Sequence, residues 1–380
     1  MAWSEDNVST DHVQSAGQPD YRPMPADPPL WRAGEDSALV CVQAREETYD
    51  VKTFVFRAEP PRRFHYQPGQ FVTLELDIAG VAVNRCYTLS STPTRPDRVS
   101  ITVKRIPGGV VSGWLHEHLR PGMTLRALGP AGEFSYARHA GAPYLFLSAG
   151  SGITPLMSMS RALTDLAADA DILFVHSARS PRDIVFRKEL SLLASAHPGF
   201  RQAVICEHRT GEPDWAGLIG RLDRALIERL APDLHARQVF CCGPAPYMAA
   251  VRELLRQCGF DMARYHEESF SFAELGAAQP DQPARTPPVG AEGGGFKVRF
   301  AKMGDELAVA PGQTVLAAAL AQGMRLPSSC TRGVCGSCKT RLLEGRVDMR
   351  HQGGIRPREV EQGYFLPCCS LPLSDLVIDR

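Results

Sequence analysis

The sequence predicts a multi-domain chain: an antiparallel β-barrel, then an α/β domain on a parallel sheet, then a small α+β unit. Three observations predict it. Between Ala38 and Tyr136 apolar and polar residues alternate in short runs. Val72, Leu74, Leu76 and Ile78 interleave with Thr73, Glu75 and Asp77, and Val99, Ile101 and Val103 with Ser100, Thr102 and Lys104. Such alternation marks antiparallel strands with one buried face, and a succession of them suits a barrel. From Pro143 to about Phe270 the strands become wholly apolar ("YLFLSAG", "DILFVHSA", "QAVICE", "QVFCCGP") and are separated by helical stretches, as a parallel sheet covered on both faces requires. Beyond Phe296 come a hairpin pattern, a helix opening at Thr314 and closing near Gly323, a cysteine loop and a final strand "DLVID".

The boundaries follow from composition. Residues 1–34 are polar and broken by Pro23, Pro25, Pro28 and Pro29, so they read as a disordered arm with no apolar face to bury. The barrel takes 35–140, the α/β domain 141–270 and the terminal unit 296–380. Between the last two, "SFAELGAAQPDQPARTPPVGAEGGG" leaves nothing to pack and makes 271–295 a linker. With Lys+Arg and Asp+Glu both at 42, the chain has no overall field that gathers nucleic acid or anionic lipid. No run approaches the length of a membrane span, and the opening "MAWSEDNVST" lacks the regions of an export signal, so a cytoplasmic location is expected. Eleven cysteines in such a chain point to reduced thiols and metal ligation rather than to disulfides.

Three of those cysteines, Cys330, Cys335 and Cys338, stand in "CTRGVCGSC" with C-x4-C-x2-C spacing, the plant-type [2Fe–2S] signature. Gly333, Gly336 and Ser337 are small enough for backbone N–H groups to turn toward the sulfurs. The competing reading is a zinc site, but zinc commonly takes two such pairs and no second pair accompanies this one. Cys368 and Cys369 are the two candidates for a fourth ligand. From Phe296 to Arg380 the chain resembles plant-type ferredoxins, which implies a β-grasp fold. In that family 29 residues usually separate the third and fourth ligands, a distance that runs from Cys338 to Cys368. Cys369 is then spare, and with Cys41, Cys86, Cys206, Cys241 and Cys258 reads as a small buried hydrophobe.

In the barrel, "NRCYTLSSTP" places Arg85, Cys86, Tyr87 and Thr88 on one strand, where a cation, an aromatic ring and a hydroxyl can address a phosphate, a ring face and a ring nitrogen. Taken alone, such a stretch is more often a core strand or cross-strand partner. In "ITVKRIPGGVVSGWLHEHL", Gly108 and Gly109 precede Ser112 at the start of a helix, whose free N–H groups suit a diphosphate. Together the two stretches resemble the flavin domain of the ferredoxin–NADP reductase superfamily. That resemblance implies FAD, held by Arg85, Cys86, Tyr87, Thr88, Thr102, Lys104, Gly109, Val110, Val111 and Ser112. Thr88 stands where the family more often has serine, and keeps the hydroxyl. A related phthalate-type group uses FMN, whereas the glycine pair with Ser112 favours a diphosphate. His116 and His118 are expected to be solvated.

"LFLSAGSGITPLMSM" sets Gly150 and Gly152 after an apolar strand, with Thr154 as N-cap and Pro155 at the first helical position, either a phosphate approach or a tight turn. "HSARSPRDIVFRKEL" and "VFCCGPAPYM" resemble the same superfamily's nucleotide lobe, which implies nicotinamide-side roles for Arg179, Cys242, Gly243 and Pro244. "YHEESF" resembles the superfamily's closing E-x-F signature in Glu268 and Phe270, whose aromatic covers the flavin. The catalytic set implied is Thr88, Cys242, Glu268 and Phe270. In "VICEHR", Cys206 and Glu207 occupy the place where NADP users carry a Ser-Arg pair, so NADH is preferred over NADPH, with Arg209 nearby as the opposing charge.

The resemblance implies an NAD(P)H-dependent wire from nucleotide to FAD to [2Fe–2S] to a partner protein. The stretches "NRCYTLSSTP", "HSARSP" and "YHEESF" resemble reductase components of Rieske-type oxygenases that demethylate quaternary amines such as glycine betaine. Similar reductases serve diiron hydroxylases and epoxidases, steroid hydroxylases and hybrid-cluster proteins. A non-catalytic iron–sulfur redox sensor is the reading from another class, and the nucleotide lobe argues against it. Neither nucleic acid nor membrane is expected as a partner.

Overall fold

A computed structural model describes residues 28–31, 35–139, 143–166, 169–269, 295–324, 326, 333, 338–351, 355 and 357–380. The sequence segment read as a linker, except Gly295, and the arm before residue 28 lie outside these residues.

The barrel is built from β1 (Glu35–Thr48), β2 (Val51–Glu59), β3 (Phe71–Ile78), β4 (Val81–Thr88), β5 (Val99–Lys104) and β6 (Thr124–Ala131) in the order β4-β3-β6-β1-β2-β5. All neighbours are antiparallel, and a bridge from Leu89 to Ile101 joins the end of β4 to β5 and closes the sheet. Val72, Leu74, Val99, Ile101 and Val103 form the expected inward stripe. The other side of β5 is buried too, at Ser100 and Thr102, because hydroxyls are paired there: Ser90 Oγ lies 2.9 Å from Thr102 Oγ1, which lies 2.8 Å from Thr53 Oγ1.

Helix α1 (Val110–His118) drives Val111 and Leu115 into the barrel core. His116 is buried rather than solvated: its Nε2 lies 2.9 Å from the Val103 carbonyl, and burial lowers its pKa. His118 is exposed, as expected. The polar arm also ends sooner than composition suggested. Leu30 and Trp31 pair in parallel with Arg63 and Phe64, and Trp31 is fully buried edge-on to Phe64 at 5.0 Å. A buried tryptophan contributes about 2–3 kcal/mol toward holding this short stretch against the barrel.

The second domain runs β7 (Tyr144–Ala149), α2 (Ile153–Leu166), β8 (Ile172–Ala178), α3 (Arg187–Ala196), β9 (Phe200–Cys206), β10 (Leu218–Ile219), α4 (Arg224–Leu230), β11 (Gln238–Gly243), α5 (Ala245–Gln257) and β12 (Tyr265–Ser269). Its sheet is wholly parallel in the order β10-β9-β8-β7-β11-β12. Phe146, Phe174 and Phe240 fill one layer and Leu145, Leu147, Leu173 and Val175 the other. The order reverses between β7 and β11, and the crevice beyond that pair of strand ends is where such sheets take ligands.

In the third domain β13 (Phe296–Phe300), β14 (Glu306–Val309), β15 (Thr340–Glu344), β17 (Tyr364–Phe365) and β19 (Leu376–Ile378) lie in the order β14-β13-β19-β15-β17, with β16 (Val347–Met349) and β18 (Ser370–Pro372) paired separately. Strands β13 and β19 are parallel, and α6 (Val315–Ala321), N-capped by Thr314, buries Val315, Leu316, Ala318 and Ala319, giving a β-grasp arrangement.

One layer of the parallel sheet carries a polar row. Glu268, Cys242, Ser148 and His176 are successive partners across β12, β11, β7 and β8. His176 is fully buried, its Nδ1 2.8 Å from Ser148 Oγ and its Nε2 without a hydrogen-bond partner. Burial lowers its pKa from 6.5 to about 4. An imidazole whose pKa falls on folding contributes stability that is complete above 6.5 and is lost as pH falls toward 4. From pH 7 to pH 5 the loss is about 2 kcal/mol, or about 4–8 °C in melting temperature for a domain of this size. Melting curves should show the wild type losing that much more than His176→Leu over the same interval; equal losses would show that His176 is not the titrating group.

Candidate active site

The flavin-motif strand β4 ends at the seam between barrel and nucleotide lobe. Thr88 is buried and paired in register with Phe71, while Arg85, Cys86 and Tyr87 are half-buried. Cys86 Sγ lies 3.2 Å from Thr73 Oγ1, and burial raises the Tyr87 phenol pKa. Thr102 belongs to the internal hydroxyl ladder, and Lys104 pairs with Asp50 at 3.3 Å.

The glycine loop shapes a cleft of about 420 Å³ bordered by Ile106, Gly108, Gly109, Val110, Trp114 and His118. Gly108 takes φ +71° with open space around it, and a side chain on Gly109 would come within 2.7 Å of Ser112 Oγ. That hydroxyl accepts from Ile106 N at 3.1 Å and reaches Gly109 O at 3.4 Å, tying the loop to the first turn of α1. The Ser112 side chain is therefore engaged within the loop and sits inside the helix, whose N-cap is Gly109. Val110 is 62% exposed and Val111 is buried in the barrel core, so the first-turn amides are what this loop offers an anion. Loop and helix end fit a diphosphate.

Across the seam, Gly150 takes φ +53° with nothing near its missing side chain. Gly152 meets the opposite constraint: a Cβ there would stand 2.3 Å from the Cys242 carbonyl oxygen and 2.5 Å from Gly243 N. The turn after β7 thus touches the end of β11 main chain to main chain at Cys242 and Gly243, and Pro244 follows as the N-cap of α5. Thr154 is not an N-cap. A single 3-10 turn, Gly150–Gly152, runs directly into α2, so Thr154 and Pro155 lie inside the first turn, and the Thr154 hydroxyl donates back to Ser151 O at 3.2 Å.

Cys242 is fully buried, which raises its thiol pKa well above normal, with Glu268 and then Cys241 adding to the effect. Glu268 Oε2 is buried with no partner, and burial followed by the neighbouring Cys86 pushes its pKa up to about 8. At neutral pH this carboxyl is protonated, able to donate a hydrogen bond or move a proton. Cys86, Cys242 and Glu268 therefore converge from barrel and lobe. Phe270 lies outside the described residues.

Arg179 Nη2 donates to Asp183 Oδ1 at 2.9 Å and to Tyr49 Oη at 3.0 Å, so it links the lobe to the barrel while bordering a cleft of about 320 Å³ with Ser180, Arg182, His208 and Thr210. Glu207 pairs with Arg221 at 3.0 Å beyond the end of β9. Sequence reasoning overlooked Tyr49, Ser148, Arg161, His176 and Asp183. The signal for Arg161 was present, since Ser158, Arg161 and Asp165 fall on one face of the helix and Arg161 and Asp165 are its only charged residues.

In the third domain Cys338 and Cys368 are buried in the core. Gly333 N donates to Cys368 Sγ at 3.3 Å, whereas the Cys369 thiol is half-buried and turns to Leu366 O at 3.7 Å. Cys330 and Cys335 lie outside the described residues. Buried thiols receiving a backbone N–H suit iron–sulfur ligation. Among the other cysteines, Cys41, Cys206 and Cys241 are buried as expected, but Cys86 and Cys258 are only half-buried.

A barrel with a glycine loop at a helix N-terminus, a parallel lobe open at its reversal point and a thiol-bearing β-grasp unit together define an NAD(P)H-dependent flavin and iron–sulfur oxidoreductase. Models of an oxidoreductase FAD-binding domain, an oxidoreductase NAD-binding domain and a 2Fe-2S iron-sulfur cluster binding domain match residues 39–136, 146–253 and 300–373. The glycine betaine monooxygenase reductase subunit of Pseudomonas aeruginosa is 47% identical over 349 residues, 89% of this chain and 94% of that one. The stachydrine N-demethylase reductase subunit of Rhizobium meliloti is 42% identical over 341 residues, 90% and 96% of the two chains. The solved structure of phthalate dioxygenase reductase, a modular structure for electron transfer from pyridine nucleotides to [2Fe-2S], superposes with TM-score 0.55 at 25% identity over 91% of this chain and 98% of that one. The chain belongs to the family of oxygenase reductase subunits that carry FAD-, NAD- and 2Fe-2S-binding domains in this order.

Replacing Gly152 with alanine forces β11 main chain to move, since no side chain can yield. Flavin content should be retained, because the FAD-binding domain is the other domain, while flavin bleaching by NADH in anaerobic stopped flow should slow by about 100-fold. An unchanged rate would show that the contact does not set the site.

Proposed function

We propose that this chain is the NADH-dependent reductase of a Rieske-type oxygenase that demethylates a quaternary amine. Identity of 47% and 42% to reductase subunits of glycine betaine and stachydrine systems, against 31% to a 1,2-phenylacetyl-CoA epoxidase component of Escherichia coli, carries the reading. Bound FAD would accept two electrons from NADH and release them singly to the cluster. Arg85, Tyr87 and Thr88 hold its ring and phosphate edge, and the amides of Gly109, Val110, Val111 and Ser112 receive its diphosphate. Gly150, Gly152, Thr154, Pro155 and Arg179 hold the nucleotide, while Cys242 and Pro244 shape the nicotinamide face. Protonated Glu268 donates a hydrogen bond there, and Thr88 aims its hydroxyl at the ring. Cys330, Cys335, Cys338 and Cys368 ligate the cluster, and its electrons leave to the oxygenase. Glu207 at the end of β9 opposes a 2′-phosphate, although its pair with Arg221 tempers the repulsion.

The direct test supplies the purified chain with NADH or NADPH and the oxygenase component of a glycine betaine or proline betaine demethylase, then measures formaldehyde. We expect turnover with NADH at about tenfold or greater kcat/KM than with NADPH. Formaldehyde no higher than with the oxygenase alone would overturn the amine assignment.

Cys368→Ser should remove the visible absorbance of the cluster and Cys369→Ser should keep it, because the buried Cys368 sulfur receives the Gly333 N–H while the Cys369 thiol turns to Leu366 O. Equal loss in both variants would assign the fourth ligand wrongly.

A further inference from the structure

Ser158, Arg161 and Asp165 are spaced by three and four residues on α2, and all reach the barrel segment that follows Thr88. Ser158 Oγ donates to Ser91 O at 2.5 Å, Arg161 Nη1 donates to Ser90 O, and Asp165 accepts from Thr94 Oγ1 and pairs with Arg95 at 2.8 Å. Arg161 is further fixed by Glu189 of α3, through Nε to Oε1 at 2.7 Å and Nη2 to Oε2 at 2.6 Å, and lies 4.8 Å over the ring of Phe186. Its side chain is 11% exposed.

The residue it grips is rigid. Ser90 is fully buried, its hydroxyl 3.0 Å from Ser100 Oγ and 2.9 Å from Thr102 Oγ1, and the ladder continues through Thr53 to Glu47 at 2.6 Å. Ser90 is two residues beyond Thr88, and α2 begins directly after the loop of Gly150 and Gly152. One guanidinium therefore joins the flavin strand, two residues from its functional hydroxyl, to the helix that carries the nucleotide loop.

We propose that Arg161 is a positioning residue for electron transfer from nicotinamide to flavin: it fixes the register of the nucleotide lobe on the barrel. The apolar part of the seam, Val51 and Phe134 set into the lobe's core, resists separation but not sliding, because hydrophobic contact is non-directional. A planar fork with two bonds to Glu189 and a third to a main-chain carbonyl resists both, and a lysine ammonium cannot reproduce that geometry. The proposal rests on the reductase reading above. Since a displacement of about 1 Å can cost about 100-fold when two reactants must meet, loss of register should reach the rate before it reaches affinity.

The test compares Arg161→Ala and Arg161→Lys with the wild type, in rates per bound flavin. Bleaching by NADH should slow by about 10–100-fold in the alanine variant and by less in the lysine variant, with KM for NADH changed less than about twofold and a larger primary isotope effect from 4-deuterated NADH. In cofactor-free protein, amide exchange across residues 90–95 and the first turn of α2 should rise about tenfold or more, without a matching rise in β7. Faster exchange with an unchanged bleaching rate would make Arg161 merely structural and overturn the proposal, as would a rise in KM with kcat preserved. Should the alanine variant not fold, full wild-type bleaching and exchange in Arg161→Lys overturns it equally. A wild type that NADH cannot bleach would instead refute the reductase reading.

Discussion

The grip of helix α2 on the segment after the flavin strand is the constraint on which the working of the molecule depends. Barrel and nucleotide lobe each possess a complete core, and few apolar side chains cross between them. Either would keep its internal structure if the other slid. The chemistry has no such tolerance, because nicotinamide and flavin are held by different domains. Directional contacts from Ser158, Arg161 and Asp165, with Arg179 and Tyr49 at the far end, convert two stable bodies into one site.

The same division explains the polar row beneath the nucleotide loop. A parallel sheet covered on both faces ordinarily excludes ionisable groups, yet Glu268, Cys242, Ser148 and His176 succeed one another across it. Burial keeps every titratable member neutral near pH 7: the carboxyl and thiol hold their protons and the imidazole lacks one. A neutral polar row places no fixed charge inside the sheet beneath the crevice at its reversal point.

Much of this was legible in the sequence because the relevant signals are local. Alternation at 71–78 and 99–104 needed only strand geometry, the apolar runs of β7, β8 and β11 needed only a doubly covered sheet, and the cysteine spacing needed only the size of a cluster. The misreadings share a different cause. Helical spacing separates His116 from His118 and suggests solvation, but the burial of His116 depends on Val103 in another strand. A capping role for Thr154 is made unnecessary by a glycine turn that feeds straight into the helix. Trp31 looks like part of a polar arm because its partner Phe64 lies 33 positions away in the chain. Arg161 escapes notice for the same reason: its three partners come from two domains.

The contact of Gly152 with the end of β11 also limits how the site can change over time. Most steric conflicts in a protein can be relieved by shrinking the neighbour, which leaves a trace of paired substitutions between the two positions. Here the neighbour is the carbonyl of residue 242 and the amide of residue 243, atoms that most residue types share. No exchange at Cys242 makes room for a side chain at Gly152, so the two positions carry no mutual information even though they touch. A map of covarying pairs would leave this contact blank, and a library that randomised both residues together would return glycine at 152 whatever it found at 242.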